Sequence, residues 1–123
     1  MSHKRKRATI IVQTDKGILL VSHSRHRNPR YMLPGGGVRH GEKSIHAAKR
    51  ELYEETGLHI SKLVYLFSFE ATQSHRVFYA KTHGRLRKRH ETTHIRFYNE
   101  NTKHRYRLAG SVRPIIEKYK IIM

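Results

Sequence analysis

Residues Gly36 to Leu58 read Gly-Gly-Val-Arg-His-Gly-Glu-Lys-Ser-Ile-His-Ala-Ala-Lys-Arg-Glu-Leu-Tyr-Glu-Glu-Thr-Gly-Leu. Four of the chain's 9 acidic residues, Glu42, Glu51, Glu54 and Glu55, fall inside this stretch, although 26 Lys and Arg give a formal charge of +17. So local a concentration of carboxylates needs a physical reason. Ser44 suits a helix N-cap, Ile45 to Thr56 the helical body, and Gly57 the left-handed residue that ends it. Ile45, Ala48 and Leu52 are spaced to form one stripe facing the core.

Residues three and four apart lie side by side on a helix, so Glu51, Glu54 and Glu55 share an arc about 100° wide beside that stripe. Like charges this close repel and take up protons unless a cation sits among them. Carboxylate oxygens are hard ligands, which favours Mg²⁺ or Mn²⁺ over zinc and leaves coordination places for phosphate oxygens. Gly35-Gly36-Gly37 lets backbone approach a ligand closely, and Gly41 permits a turn. Glu42, just ahead of the helix, can fold back toward the same cation. Arg50 adjoins Glu51 and lies one turn from Glu54, placed to orient a carboxylate as well as neutralise it.

Gly36, Glu42, Arg50, Glu51, Glu54, Glu55 and Gly57, with Leu52 and Leu58 as aliphatics, match Gly-x5-Glu-x7-Arg-Glu-U-x-Glu-Glu-x-Gly-U across 23 of the 123 residues without a mismatch. This is the Nudix box, and the chain resembles the Nudix hydrolase family. The resemblance implies an α/β fold, a Nudix-type α/β/α sandwich with a mixed β-sheet, as a single domain over residues 1–123. It implies hydrolysis of a nucleoside diphosphate linked to another moiety, with Mg²⁺ or Mn²⁺. Carried over by position, Glu51, Glu54 and Glu55 match the metal-binding carboxylates, Arg50 the residue that orients them, and Gly36 the glycine whose carbonyl joins the metal shell. Arg39 stands where many members are acidic, which reverses the charge facing the substrate. The proton of the attacking water goes to Glu51, Glu54 or a glutamate from a later loop, where Glu91 ranks ahead of Glu70 and Glu100.

Outward from the box, Ala8 to Gln13 is β-branched and apolar, Asp15-Lys16-Gly17 is turn chemistry, and Ile18 to Ser22 reads as the returning strand of a hairpin. His23 to Arg30 is a polar loop and Tyr31 to Leu33 a short extended piece. After the box come strand-like runs at Leu63–Phe69, Val77–Thr82 and Ile95–Tyr98, a basic loop at Gly84–His90, and a closing helix from Ser111 to Ile121 with Pro114 in its first turn. Strands on either side of one helix, with a second at the end, suggest a mixed sheet covered by helices. Arg85, Arg87, Lys88 and Arg89 either grip substrate phosphates or form a solvated loop; Tyr31 either stacks on a base or packs as a strand residue.

The positive charge attracts polyanions such as nucleotides and RNA without choosing among them. With no Cys, disulfides and thiolate metal sites are excluded, and the composition suits a reducing, cytoplasmic setting. Lys4-Arg5-Lys6-Arg7 precedes too short an apolar run for a signal peptide, and no stretch has the length of a membrane span. His90-Glu91-Thr92-Thr93-His94 spells the zinc-peptidase motif, but Thr92-Thr93-His94-Ile95 favours extended backbone over the helix that zinc geometry requires. Downstream proline and Trp-containing signatures of the ADP-ribose and NADH groups are missing. Elimination therefore leans to a MutT-like nucleoside triphosphate pyrophosphohydrolase. Dinucleoside polyphosphates, diphosphoinositol polyphosphates and RNA 5′ ends stay open, as do monomer and homodimer. The competing class is a nucleic-acid-binding protein that uses the scaffold without turnover.

Overall fold

The computed structural model describes residues 4–123. Its centre is a four-stranded sheet in the order β5 (Gly35–Gly37), β1 (Lys6–Ile11), β7 (Ser74–His83), β6 (His59–Glu70). β1 runs parallel to β7, with Ile10 opposite Phe78, and antiparallel to β5, with Ala8 opposite Gly36. β6 and β7 form a long antiparallel pair, interrupted between Ile60 and Lys62 and between Tyr65 and Phe67. The sheet is mixed.

A second, antiparallel sheet joins β2 (Gln13–Thr14), β3 (Gly17–Ser22) and β8 (His94–Tyr98). The two-residue ribbon β4 (Arg30–Tyr31) with β9 (Arg107–Leu108) is parallel, and Met32 bridges it to Val21 of β3. The expected turn at Asp15-Lys16 is present, but Ala8–Gln13 is divided. β1 joins the central sheet and only Gln13-Thr14 pairs with β3.

Strand alternation sends side chains to two separate cores. Ala8, Ile10, Val12, Leu19, Phe78 and Ala80 pack with Ala47, Ala48 and Leu52 of α1 (Ser44–Thr56). Ile11, Ile18, Leu20 and Val77 pack on the other side with Val112, Ile115, Ile116 and Tyr119 of α2 (Val112–Ile122). Sheet strands covered on both faces read as continuous apolar runs, which is why Ala8–Val12 and Ile18–Val21 show no polar alternation. The architecture is the α/β/α sandwich that the box implied.

Two expectations for α1 are corrected. Lys43, extended at φ −79° and ψ 145°, is the N-cap, and Ser44 is the first helical residue with no side-chain cap. The Lys43 carbonyl accepts the first helical bonds, from His46 and Ala47, both at 3.0 Å. Ile45 is 43 % exposed and leaves the stripe, because the buried face centres on Ala48, Leu52 and Glu55. Gly57 ends the helix in the left-handed region at φ 74°, its N–H donating to the Tyr53 carbonyl at 2.9 Å. α2 begins one residue later than expected, with Ser111 ahead of it. The strands after the box extend beyond their apolar centres, since pairing continues through polar residues such as Glu70 opposite Ser74.

Leu52→Ala on one face and Ile116→Ala on the other should each lower stability by about 3 kcal/mol. Ile45→Ala should cost under about 0.5 kcal/mol. Urea unfolding monitored by circular dichroism measures all three.

Candidate active site

Arg50 projects from the middle of α1 into the loop before it. Its Nε donates to Glu42 Oε2 at 3.0 Å and its Nη2 to Glu42 Oε1 at 2.9 Å, a two-pronged grip. The same Nη2 donates to the Gly37 carbonyl at 3.1 Å, and Nη1 donates to Glu51 Oε1 at 2.6 Å. Glu54 Oε2 lies 3.7 Å from Nη1. One guanidinium therefore binds strand β5, the loop and two helical carboxylates. The Glu42 carboxyl is held down to about 2, by Arg50 first and then by the Arg39 N–H, which donates to Oε1 at 3.0 Å. Burial raises the Glu51 carboxyl above its ordinary value despite Arg50.

Glu51 can take this position because residue 36 has no side chain. A Cβ on Gly36 would collide with the Glu51 carboxylate, coming within 2.7 Å of Oε1. Glu55 goes further in and is 4 % exposed, where an edge position was expected. Its Oε1 accepts from the Gly35 N–H at 2.8 Å. Its Oε2 is buried without a hydrogen bond: the His23 Nε2 lies 2.8 Å away but outside hydrogen-bond geometry. The neighbouring carboxylate raises the His23 ring's affinity for a proton, against the effect of burial.

These carboxylates open onto a cavity of about 230 Å³ lined by His23, Glu51, Glu54, Glu55, His90, Glu91 and Thr92. Glu91 is thus brought to the helical glutamates, whereas Glu70 pairs with Lys4 and Arg76 and Glu100 with Lys103 and Lys120. The placement depends on backbone bonds from the basic loop to the end of α1. The Arg87 N–H donates to the Thr56 carbonyl at 2.9 Å and the Arg89 N–H to the Glu55 carbonyl at 3.2 Å. His90 then turns the chain at φ 49° toward Glu91. With His94 opening β8 and no helix between, the zinc-peptidase geometry is absent there.

The fit to a divalent cation rests on the donors. Three helical carboxylates converge on one cavity, and one oxygen among them, Glu55 Oε2, is buried without a donor. An all-oxygen set of this charge suits a hard divalent ion. Among the described residues, no three His, Asp or Glu side chains already form a closed metal-binding cluster; Arg50 holds Glu51 and Glu54 instead.

The expected substrate residues are spread more widely. Arg39 lines a shallow recess with Arg5, Lys6, Gly37 and Val38. Arg87 is exposed and packs its side chain against Gly57 rather than into the carboxylate cavity. Tyr31 is 4 % exposed, its ring against Tyr106 at 5.1 Å and His94 at 6.1 Å.

Sequence reasoning missed His23, Thr92, Arg7 and His75. The Thr92 hydroxyl is buried without a partner on the cavity wall. Arg7 donates to the Leu33 carbonyl at 2.8 Å and feels the charges of Glu55 and Glu51, although burial makes it easier to deprotonate than an ordinary arginine. It also lines a cleft of about 560 Å³ with Arg30, Met32, Phe69, Glu70 and His75, beside the start of α2. His75 exchanges a hydrogen bond with the Thr9 hydroxyl at 2.7 Å. Burial, followed by the charge of Arg7, drops its pKa to about 4. None of these residues carries a spacing signal; Arg7 and His75 meet only through the parallel β1–β7 register, where they stand opposite each other.

A family model for the NUDIX domain matches residues 3–117. The chain belongs to the Nudix family. The RNA pyrophosphohydrolase of Bartonella clarridgeiae is 44% identical over 54 residues, covering 43% of this Nudix chain and 31% of that protein. The NAD-capped RNA hydrolase NudC of Edwardsiella ictaluri is 41% identical over 59 residues, covering 48% of this chain and 23% of that protein. The matches thus span less than a third of those relatives' lengths. A solved Nudix hydrolase family member from Chromobacterium violaceum has a TM-score of 0.87 at 30% identity, covering 98% of this chain and 79% of that one. The MutT Nudix hydrolase of Burkholderia pseudomallei, at TM-score 0.79 and 20% identity over 94% of this chain and 98% of that one, shares the fold.

Arg50→Lys keeps the charge but loses the two-pronged grip, and should lower stability by about 2 kcal/mol in chemical denaturation. Because His75 takes a proton at about 6.5 when unfolded but only at about 4 when folded, acid favours unfolding. The parent should therefore lose stability as pH falls from about 6.5 to about 4, by up to roughly 3 kcal/mol from this group. His75→Gln should flatten that part of the profile in denaturation series at fixed pH.

Proposed function

We propose that this Nudix protein hydrolyses a pyrophosphate bond in the 5′-polyphosphate of a nucleotide, free or at the end of an RNA, using Mg²⁺ or Mn²⁺. The observation that carries the proposal is the cavity where Glu51, Glu54, Glu55 and Glu91 converge in a strongly basic chain, with one buried carboxylate oxygen faced only by the His23 ring. A scaffold that only bound nucleic acid would gain nothing from carboxylates repelling its phosphates.

Glu51, Glu54 and Glu55 would hold the cation, with the Gly36 carbonyl beside them. When bound, it supplies charge that polarises the phosphoryl oxygens and stabilises the leaving oxygen. Arg50 keeps Glu51 oriented and limits repulsion among the carboxylates. Glu91, which lines the same cavity, accepts a proton from water as the water oxygen attacks phosphorus. The bond from phosphorus to the bridging oxygen breaks, and the bridge electrons leave with the departing phosphate. The cleft lined by Arg7, Phe69 and His75 is roomy enough for a nucleoside.

Both the free nucleotide favoured by MutT-like compactness and the RNA end named in the relatives present the same reacting group. The relatives' names and the charge of +17 favour the RNA end. The names of the relatives do not reach beyond the matched stretch.

A panel of nucleoside triphosphates and triphosphorylated RNA, assayed with Mg²⁺ or Mn²⁺ and read by product identity, tests the proposal. Glu54→Gln should lower kcat by about 10²-fold or more. The same change should weaken Mn²⁺ binding in calorimetry while leaving the melting temperature within a few degrees of the parent. Unchanged turnover and Mn²⁺ affinity would remove Glu54 from the site.

A further inference from the structure

A third cavity, of about 240 Å³, lies beyond Tyr31 and is lined by Arg27, Asn28, Pro29, His94, Arg96, Arg105, Tyr106 and Arg107. Four arginines line this small space, and among the described residues none of Arg27, Arg96, Arg105 and Arg107 pairs with a carboxylate; Arg96 donates to the Ile95 carbonyl at 2.8 Å and Arg107 to the Asn28 carbonyl at 3.4 Å. The chain's few acids are used elsewhere. Like charges held together without counter-ions are costly, and a bound polyanion relieves the cost.

The pocket also has planar surfaces. Tyr31 and Tyr106 pack ring against ring at its base, and the His94 ring meets Tyr31 edge-on. Tyr31 is buried and supports the wall, whereas Tyr106 and His94 are partly exposed. Arginines that grip phosphate beside exposed rings are what a single strand requires: cations follow the backbone and rings take the bases.

Its position gives the pocket a direction. His90 to Thr92 wall the carboxylate cavity, and His94 and Arg96 wall the basic pocket. Only Thr93 separates Thr92 from His94, a two-residue step on the order of 7 Å. That step is pinned by Thr93, whose hydroxyl donates to the Ser24 carbonyl at 2.7 Å and whose N–H donates to the Ser22 carbonyl at 2.8 Å. On the other side, Arg30 of β4 faces the large cleft while its neighbour Tyr31 lines the basic pocket.

We infer that the Arg27–Arg96–Arg105–Arg107 pocket binds the sugar-phosphate backbone of single-stranded RNA beside the carboxylate cavity. The inference rests on the proposed pyrophosphate chemistry only for its direction, since a strand whose 5′ end occupies the carboxylate cavity continues into the basic pocket.

The test separates this binding from catalysis. Fluorescence anisotropy with a 5′-hydroxyl oligoribonucleotide, which has no pyrophosphate to cleave, is compared for the parent and Arg96→Ala/Arg105→Ala across a salt series. The affected side chains are exposed, so folding should be retained, and circular dichroism checks it. The double variant should bind about tenfold more weakly, and its plot of log K against log salt should be shallower by about 1.4. Turnover of nucleoside triphosphates should stay within about twofold of the parent. Equal RNA affinity in parent and variant, or no RNA binding by the parent, overturns the inference. An acidic peptide of matched charge that binds as tightly, and loses as much in the variant, overturns the assignment to RNA. RNA binding that responds as expected in a protein inactive on every polyphosphate would remove the proposed reaction and leave the pocket assigned.

Discussion

The structure of this site depends on a single guanidinium at the seam between strand, loop and helix. Arg50 takes both oxygens of Glu42, one oxygen of Glu51 and the Gly37 carbonyl. Without a cation at that point, the segment before α1 has little reason to fold back, because it is short of apolar side chains and rich in glycine. A lysine presents a point charge and cannot satisfy a fork in fixed directions. The charged residues of the box thus do structural work before any ligand arrives.

Around this fork the protein accepts electrostatic tension. Glu55 is buried between helix and sheet, with one oxygen satisfied by the Gly35 N–H and the other faced only by the His23 ring, 2.8 Å away and out of line for a hydrogen bond. Arg7 approaches from the opposite side and loses hydration in doing so, yet it spends its hydrogen bond on the Leu33 carbonyl. His75 stays neutral, first because burial would strip water from a charged ring and then because a second positive charge beside Arg7 would be repelled. Each of these groups is held in place by the apolar packing of Ala48, Leu52 and the strands rather than by its own preference. An interior that is dry on both faces of the sheet keeps such interactions strong.

Much of this was legible in the sequence, for identifiable reasons. The helix, its glycine stop and the spacing of four carboxylates are local facts, written within one stretch of chain. The apolar runs of β1 and β3 read as strands, but as the two arms of one hairpin, because nothing local shows that β1 pairs with β7 instead. Ile45 misled because helical spacing alone does not say where a face ends; it lines an open groove with Ile60 and Leu63 of β6 instead of entering the core. Ser44 misled for a similar reason, since a residue fit for capping was placed one position inside the helix. Arg7 and His75 were invisible because they meet only through pairing between distant strands, and His23 because it reaches Glu55 of α1 from the loop after β3. Tyr31 and the arginines around it were likewise scattered over residues 27 to 107, with no motif to join them.

The stop at the end of α1 has a further implication. The two backbone bonds from Arg87 and Arg89 to the helix's last carbonyls involve no side-chain chemistry. They behave like a ruler laid between the two walls of the cavity, fixing how few residues separate the end of α1 from Glu91 once the chain returns to it. Exposed side chains there, such as Arg85 and Lys88, are therefore free to drift in identity, while a residue added or deleted between Arg87 and Glu91 would shift one half of the machinery against the other. The tolerance of this loop is chemical, and its intolerance is metric.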